Sequence, residues 1–217
     1  MFSYVLFDFD GTLMDTSEGI FEAIGKVAEH YGVPLSDGQL RAFIGPPLKE
    51  SFPSIMGLPE SEVESAIRIY RKHYASESMF KARVYAGVEA MLGNLCAAGK
   101  RLFVSTSKPE GFTKQILRQK GIEGFFQFVG GSDDEEKVRV EKADVIEYVL
   151  QSAKIADKRC ECLLVGDRRY DVAGSHSAGI KCAAVLWGFG SKEELSAADF
   201  LVGAPGELER LVLHAHL

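Results

Sequence analysis

The stretch that decides the fold is Tyr4-Val-Leu-Phe-Asp8-Phe-Asp10-Gly11-Thr12, in which an apolar run meets two carboxylates, a glycine and a threonine. A short apolar run that ends at a polar turn predicts a buried strand of a parallel sheet. Both carboxylates then lie at the carboxyl end of that strand, and the glycine lets the chain turn sharply behind them. The chemistry of the protein is therefore predicted to begin at this strand end.

Downstream of Gly87 the sequence alternates between helical and strand patterns. The predicted helices cover 88–98, 109–120, 143–153, 171–178 and 206–214, and the predicted strands cover 101–105, 126–129, 160–165, 181–186 and 200–202. Strands that alternate with helices indicate an α/β fold in which a parallel sheet carries helices on both faces.

The connection between the first two strands is far longer than the fold needs. About ninety residues separate Asp10 from Arg101, whereas a parallel crossover requires about a dozen. Helical patterns fill most of this segment, over 17–31 and 60–76 with shorter pieces within 36–56. We therefore predict a core domain made of residues 1–14 and 86–217 and an inserted helical cap of residues 15–85, placed where it could cover the carboxylates as a lid.

Composition and charge exclude several classes of protein. The 217 residues include 25 basic and 31 acidic side chains, a formal net charge of −6, and no stretch gathers lysine and arginine into a basic stripe. Nucleic-acid binding is therefore not expected. No apolar run approaches the roughly 18 residues of a membrane span. The four cysteines are few and read as reduced, which predicts a cytoplasmic protein.

A second acidic motif repeats the theme of the first. The apolar run Leu163-Leu-Val165 ends at Gly166-Asp167, and Asp171 follows at the start of a predicted helix. Carboxylates crowded together repel one another unless a cation balances them, and Mg²⁺ takes oxygen ligands of this kind. We predict an Mg²⁺ site formed by four aspartates, namely Asp8, Asp10, Asp167 and Asp171.

Two further features suit a phosphate group. Thr106 and Ser107 follow a strand and precede a helix with a proline near its first turn, so that hydroxyls and backbone N–H groups could meet an anion. Thr106 could equally be a plain helix N-cap. Lys142 stands at the head of a helix, where the dipole disfavours a cation. This position hints at phosphate binding, a role that Lys108 or Lys137 could also fill.

The ordered set of motifs resembles the haloacid dehalogenase-like superfamily of phosphohydrolases over essentially the whole chain. The matching residues are Asp8-Phe-Asp10-Gly-Thr, Thr106, Lys142 and Gly166-Asp-Arg-Arg-Tyr-Asp171. The resemblance implies a Rossmann-like core with an α-helical cap inserted after the first motif. Three further stretches look like the phosphoglycolate-phosphatase-like branch, namely Phe43-Ile-Gly-Pro-Pro-Leu48, Ala178-Gly-Ile180 and Gly188-Phe-Gly-Ser191.

The resemblance also implies a mechanism. Asp8 would attack a phosphate monoester to form an aspartyl-phosphate, and Asp10 would act as general acid and then as general base. Mg²⁺ would be held by Asp8, the main-chain carbonyl of Asp10 and Asp167. Thr106 and Lys142 would hold the transferring group, and Asp171 would orient Asp167 or a metal-bound water. The predicted enzyme is a phosphoric monoester hydrolase.

Two alternatives stand beside a phosphatase. A phosphomutase of the β-phosphoglucomutase type shares Asp10, but its cap histidine is absent from Ser17-Glu-Gly-Ile20. A non-catalytic member that binds a phospholigand would have lost a motif residue, and none is lost. The predicted partner is a small phosphorylated metabolite; phosphoglycolate, a nucleoside monophosphate, a sugar phosphate and pyrophosphate all stay open, as does the choice between monomer and homodimer.

Overall fold

The structure is a computed structural model that describes residues 2–133 and 138–214. The chain forms two compact units, one made of Met1–Met14 with Val84–Leu217 and the other of Asp15–Arg83. The sequence placed these boundaries after residues 14 and 85. The identification of the second unit as a lid over the site stays a prediction.

The first unit contains a six-stranded sheet. Its strands are β1 (Tyr4–Phe7), β4 (Arg101–Pro109), β5 (Phe126–Ser132), β6 (Cys162–Gly166), β7 (Lys181–Val185) and β8 (Phe200–Val202). Two strands of two residues each, β2 (Met14–Asp15) and β3 (Arg83–Val84), form a separate two-stranded sheet that the sequence did not predict.

The helices follow the predicted alternation. They are α1 (Ser17–Tyr31), α2 (Asp37–Ala42), α3 (Leu48–Met56), α4 (Glu60–Ser76), α5 (Val88–Ala97), α6 (Glu110–Gln119), α7 (Lys142–Ser152), α8 (Arg169–Ser177) and α9 (Pro205–His214). Helices α1 to α4 belong to the second unit, and α5 to α9 belong to the first. Among the described helices, none combines the length and apolar character that crossing a membrane requires.

The sheet is parallel throughout, in the order β5-β4-β1-β6-β7-β8. Strand β1 lies in the middle, where Phe7 pairs with Val104 of β4 on one side and Val165 of β6 on the other. Val5 and Leu6, which point to opposite faces of the sheet, are both fully buried. Both faces are therefore covered, and the predicted α/β Rossmann-like class is confirmed.

One face of the sheet is sealed by α7. Leu6, Phe103 and Leu164 from three adjacent strands pack in a single buried cluster with Ile146 and Val149 of the helix. Side chains at alternate strand positions share a face, so this packing fixes the register of all three strands. Because register sets which residues emerge at the strand ends, the cluster also determines where Asp8 and Asp167 lie.

The largest departure from the predicted elements is the end of β4. The strand continues to Pro109 rather than stopping at residue 105, because Pro109 still pairs with Ser132 of β5 after a register shift. Helix α6 begins only at Glu110, so Thr106 lies within the strand. The interpretation of Thr106 as a helix N-cap is therefore wrong.

The second unit is helical, and its first helix carries a close backbone approach. Gly19 of α1 lies so near the carbonyl of Ser78 that a Cβ atom there would overlap it. Glu22, one turn further along, accepts hydrogen bonds from the Ser78 hydroxyl and from Lys81 Nζ, the latter at 3.0 Å. These contacts attach the segment after α4 to α1.

All four cysteines are free. Cys162 is buried and Cys160 is exposed.

Candidate active site

The ends of β1 and β6 bring two aspartates together. Phe7 and Val165 are paired, so the next residues, Asp8 and Gly166-Asp167, leave the sheet side by side. The Asp8 N–H donates to the carbonyl of Val165 at 2.8 Å, which extends the pairing by one residue. Carboxylate oxygens of Asp8, Asp167 and Asp171 lie within 4.8 Å of one another, and all three residues are buried. We call these three residues the carboxylate cluster.

Asp167 is held by groups from two other segments of the chain. Its Oδ1 accepts a hydrogen bond from the Thr12 hydroxyl at 3.1 Å, and its Oδ2 accepts one from the Phe189 N–H at 2.8 Å. A Cβ atom on Gly188 would lie 2.5 Å from Asp167 Oδ2, and one on Gly11, at a φ of +81°, would overlap the same oxygen. These glycines let two loops close on Asp167, so the carboxylate has one fixed orientation.

Asp171 is fixed from the other side. It occupies the third position of α8, and its Oδ2 accepts hydrogen bonds from the N–H groups of Asp167 at 3.1 Å and Arg168 at 3.0 Å. Its Oδ1 lies 2.6 Å from Lys142 Nζ. Both oxygens of Asp171 therefore have protein partners, which suits a residue that supports the site.

Lys142 supplies the positive charge of the carboxylate cluster. Its Nζ lies 2.6 Å from Asp8 Oδ1 as well as from Asp171 Oδ1, and the residue is only 5% exposed. It is the first residue of α7, where the helix dipole opposes a cation, and the two carboxylates offset that cost. Gly174 of α8 leaves room for the lysine stem, since a Cβ there would lie 2.8 Å from Lys142 Cβ.

The charges shift the ionisation of these groups strongly. Burial raises the pKa of Asp8 to about 7, against the opposing pull of the Lys142 ammonium. Burial, together with the charges of Asp171 and Asp8, raises the pKa of Asp167 well above its usual range. Burial by itself would lower the pKa of Lys142, but Asp171 and Asp8 outweigh it and keep that pKa above its usual value. The lysine is therefore charged, and negative charge is in excess around it.

This excess fits a divalent cation. With every group ionised, three carboxylates face a single ammonium, and one divalent ion would balance the remainder. The donors are all oxygens, the ligand type that Mg²⁺ prefers. Asp8 and Asp167 have the most strongly disfavoured negative charge, so they gain the most from such an ion.

Asp10 stands apart from the carboxylate cluster and has its own lysine. Lys108 Nζ lies 3.0 Å from each of the two Asp10 carboxylate oxygens. The backbone N–H of Lys108 donates to Thr106 Oγ1 at 3.3 Å, which links the buried Thr106 to this pair. Ser107 lies beside them on β4, half-buried, and within residues 2–133 and 138–214 no hydrogen bond ties its side chain to an aspartate.

The structure thus sorts the three candidate lysines. Lys142 meets the carboxylate cluster, Lys108 meets Asp10, and Lys137 lies outside the described residues. Sequence reasoning did not identify the Lys108 contact, nor the support from Thr12 and the Gly188 loop. The sequence did carry a signal for the Lys108 contact. Residues two apart on a strand point to the same face, so a strand through Thr106 predicts that Lys108 lies on the same face.

The fold and the site together define an α/β enzyme whose central strand presents a buried carboxylate beside a fixed ammonium. A family model described as haloacid dehalogenase-like hydrolase matches residues 5–185, and the chain belongs to that family. The predicted family is thereby confirmed.

Curated relatives match most of this chain in sequence, and a solved structure shares its fold. A 5'-nucleotidase of Pseudomonas aeruginosa is 34% identical over 89% of this chain and 86% of its own length. The tyrosine-protein kinase PtkA of Mycobacterium tuberculosis is 37% identical over 91% of this chain but only 64% of its own length. A phosphoglycolate phosphatase of Aquifex aeolicus is 28% identical over 96% and 95% of the two chains. The crystal structure of a predicted phosphatase from Clostridium acetobutylicum has a TM-score of 0.91 and 38% identity, covering 98% of this chain and 99% of that one.

Proposed function

We propose that the protein is an Mg²⁺-dependent phosphatase that hydrolyses a small phosphate monoester through an aspartyl-phosphate on Asp8. The observation that carries the proposal is the carboxylate cluster, in which Asp8 ends the central strand and Lys142 fixes it by Oδ1. Membership of a hydrolase family and the phosphatase names of relatives support hydrolysis of phosphoric monoesters as the reaction.

Each site residue has a part in this reaction. A carboxylate oxygen of Asp8 attacks phosphorus while the ester P–O bond breaks, and Asp10 gives a proton to the departing alkoxide. Asp10 then takes a proton from the water that cleaves the aspartyl-phosphate, which releases inorganic phosphate and restores Asp8. Thr106, Ser107 and Lys142 hold the phosphoryl oxygens.

Mg²⁺ would be held by Asp8, Asp167 and the main-chain carbonyl of Asp10, with Asp171 as a supporting charge. When bound, the ion neutralises phosphate oxygens and reduces repulsion between the carboxylate and its anionic target. The chain's own contribution is to keep the ligands oriented, through Thr12 and the Phe189 N–H on Asp167. A cytoplasmic location stays a prediction.

Phosphate release from p-nitrophenyl phosphate tests the proposal. Wild-type protein with Mg²⁺ should turn over, while Asp8→Asn should lose at least about 1,000-fold because the nucleophile is gone. Asp157→Asn, at an exposed carboxylate paired only with its neighbour Lys158 among the described ion pairs, serves as the matched control. Turnover by Asp8→Asn, or by wild type in excess chelator, would contradict the mechanism.

Binding of the ion has a readout of its own. Mg²⁺ should raise the melting temperature of the wild-type protein, because it stabilises the crowded carboxylates of the folded state. Asp167→Asn should remove this shift while Asp157→Asn keeps it. Equal shifts in all three proteins would show that the ion binds elsewhere.

A panel of esters decides the substrate class. Phosphoglycolate, a nucleoside monophosphate, a sugar phosphate and pyrophosphate are the candidates that the sequence left open, and all but the sugar phosphate agree with the names of relatives. The similarity to PtkA adds transfer from ATP to a tyrosine peptide as a second activity to assay. The phosphomutase alternative has no histidine in Ser17–Ile20 to support it.

A further inference from the structure

Lys108 is a buried cation that the proposed reaction leaves without a role. Its side chain is 5% exposed, and its Nζ lies 3.0 Å from both oxygens of the half-buried Asp10. An ammonium at equal distance from both oxygens of a carboxylate restrains the rotation of that group as well as its position. The contact therefore specifies the direction in which Asp10 faces.

The backbone that carries Lys108 is itself fixed. Its N–H donates to Thr106 Oγ1, and the next residue, Pro109, pairs with Ser132 of β5. Gly131 lies so close that a Cβ atom there would be 2.5 Å from the Lys108 carbonyl oxygen. The lysine thus extends from a rigid strand end rather than from a free loop, and its ammonium also lies 5.8 Å from the centre of the Phe9 ring.

We propose that Lys108 is a positioning residue that aims the Asp10 carboxylate at the leaving oxygen and at the hydrolytic water. The inference rests on the proposed function of Asp10 as general acid and base. The two lysines then have different roles: Lys142 orients the nucleophile, and Lys108 orients the group that transfers protons. A small displacement of a reacting group slows the chemical step in which that group takes part and leaves the rates of the other steps unchanged.

Substrates with different leaving groups distinguish a positioning role of Lys108 from a purely structural one. A nitrophenolate leaves without a proton, whereas an alkoxide needs one, so attack on p-nitrophenyl phosphate does not depend on Asp10. Lys108→Met should keep a nitrophenol burst within about threefold of the wild-type rate, while the later turnover falls about 10- to 100-fold because the water step needs the base. On the alkyl phosphate of the panel that the wild-type protein hydrolyses fastest, the rate of the first step should fall as well.

A double-mutant cycle gives the decisive comparison. If Lys108 acts through Asp10, adding Lys108→Met to Asp10→Asn should cause no further loss on the alkyl ester. Lys108→Arg should recover part of the turnover. Lys114→Met, which removes a lysine paired with Glu110 on the neighbouring helix α6, is the matched control and should behave as wild type.

Other outcomes would overturn the proposal. A rise in KM with an unchanged kcat would make Lys108 a phosphate-binding residue, and additive losses in the cycle would separate it from Asp10. Should Lys108→Met fail to fold, Lys108→Gln in the same cycle supplies the test. Loss of activity in Asp8→Asn together with full activity in Lys108→Met would overturn this inference while leaving the proposed function intact.

Discussion

Lys142 is the residue on which the electrostatics of the site depend, because it is buried between Asp8 and Asp171. Removing one partner of a buried ion pair leaves an uncompensated charge in a poorly solvated place. At this site the loss of stability is larger, because without Lys142 the three carboxylates of the cluster face one another. We therefore expect the lysine that the sequence singled out for phosphate binding also to stabilise the metal-free protein.

We predict that Lys142→Met destabilises the metal-free protein by about 3 kcal/mol. Urea unfolding at pH 7 in the presence of a chelator measures the change. Adding Asp171→Asn should restore part of the loss, because it removes one of the carboxylates that the lysine balanced. A Lys142→Met protein as stable as wild type would contradict the placement of this lysine between two buried carboxylates.

Gly188 is the second residue whose identity the site requires. A methyl group there would lie 2.5 Å from Asp167 Oδ2 and 2.5 Å from the carbonyl oxygen of Gly11, so one of the two loops must move. Gly188→Ala should therefore lower phosphatase activity and weaken the melting-temperature shift caused by Mg²⁺. The matched control is Gly93→Ala in the middle of α5, where only ordinary contact with Phe125 results. That change should leave activity alone and stabilise the protein by up to about 1 kcal/mol.

At the scale of the element, helix α1 offers two glycines with opposite expectations. Gly19→Ala would collide with the Ser78 carbonyl, whereas a Cβ on Gly25 meets nothing within 4 Å. We predict that Gly19→Ala destabilises the second unit by about 2 kcal/mol or more through overpacking. Gly25→Ala should stabilise it by about 0.5–1 kcal/mol, since alanine favours a helix interior. Hydrogen exchange of the α1 amides locates each effect, and changes of equal sign would contradict the close approach at Gly19.

The elements also show what local sequence can and cannot specify. The apolar runs that end at Asp8 and at Gly166 predicted β1 and β6 because residue type and burial agree there. The end of β4 was predicted too early, since pairing of Pro109 with Ser132 overrides the local turn signal. The Lys108–Asp10 contact was not predicted because a lysine side chain is long enough to reach several positions, and the strand geometry selects among them.

For the whole molecule, the carboxylate cluster links stability to pH and to the metal. Burial raises the pKa of Asp8 from 3.8 to about 7, so between these values the folded protein holds more protons than the unfolded chain. The stability of the metal-free protein therefore falls as pH rises through this window. Groups with a lowered pKa, such as Glu147 and Asp199, have the opposite effect below their usual pKa values of 4.5 and 3.8, so they change the stability little above pH 5.

We predict that the metal-free protein unfolds at a lower temperature at pH 8 than at pH 5, with Asp8 contributing about 3 kcal/mol, at 1.4 kcal/mol per pH unit between pH 5 and its pKa of about 7. Mg²⁺ should recover the loss at pH 8, and Asp8→Asn should make the profile shallower by the share that Asp8 contributes. Thermal melts across this range with and without chelator measure both. A metal-free protein that gains stability from pH 5 to pH 8 would contradict the raised pKa of Asp8.

The class of fold and the gathering of the three aspartates of the carboxylate cluster followed from sequence, because each acidic motif follows a buried strand of one parallel sheet. The contacts that support those residues could not be predicted from the sequence. Phe189 and Thr12 reach Asp167 from distant parts of the chain, and glycines permit that approach only through backbone geometry that no local pattern encodes.

The central position of β1 has a consequence for synthesis. Strand β1, which Asp8 follows, leaves the ribosome before both of its neighbours, which begin at Arg101 and Cys162. Between them the chain delivers Asp15–Arg83, a unit with its own internal contacts that can form as it emerges. Long-range parallel pairing is slow to form. The nascent protein is thus expected to carry a helical unit after an unpaired strand, and Asp8 acquires its partners only after β6 and α8 have been made.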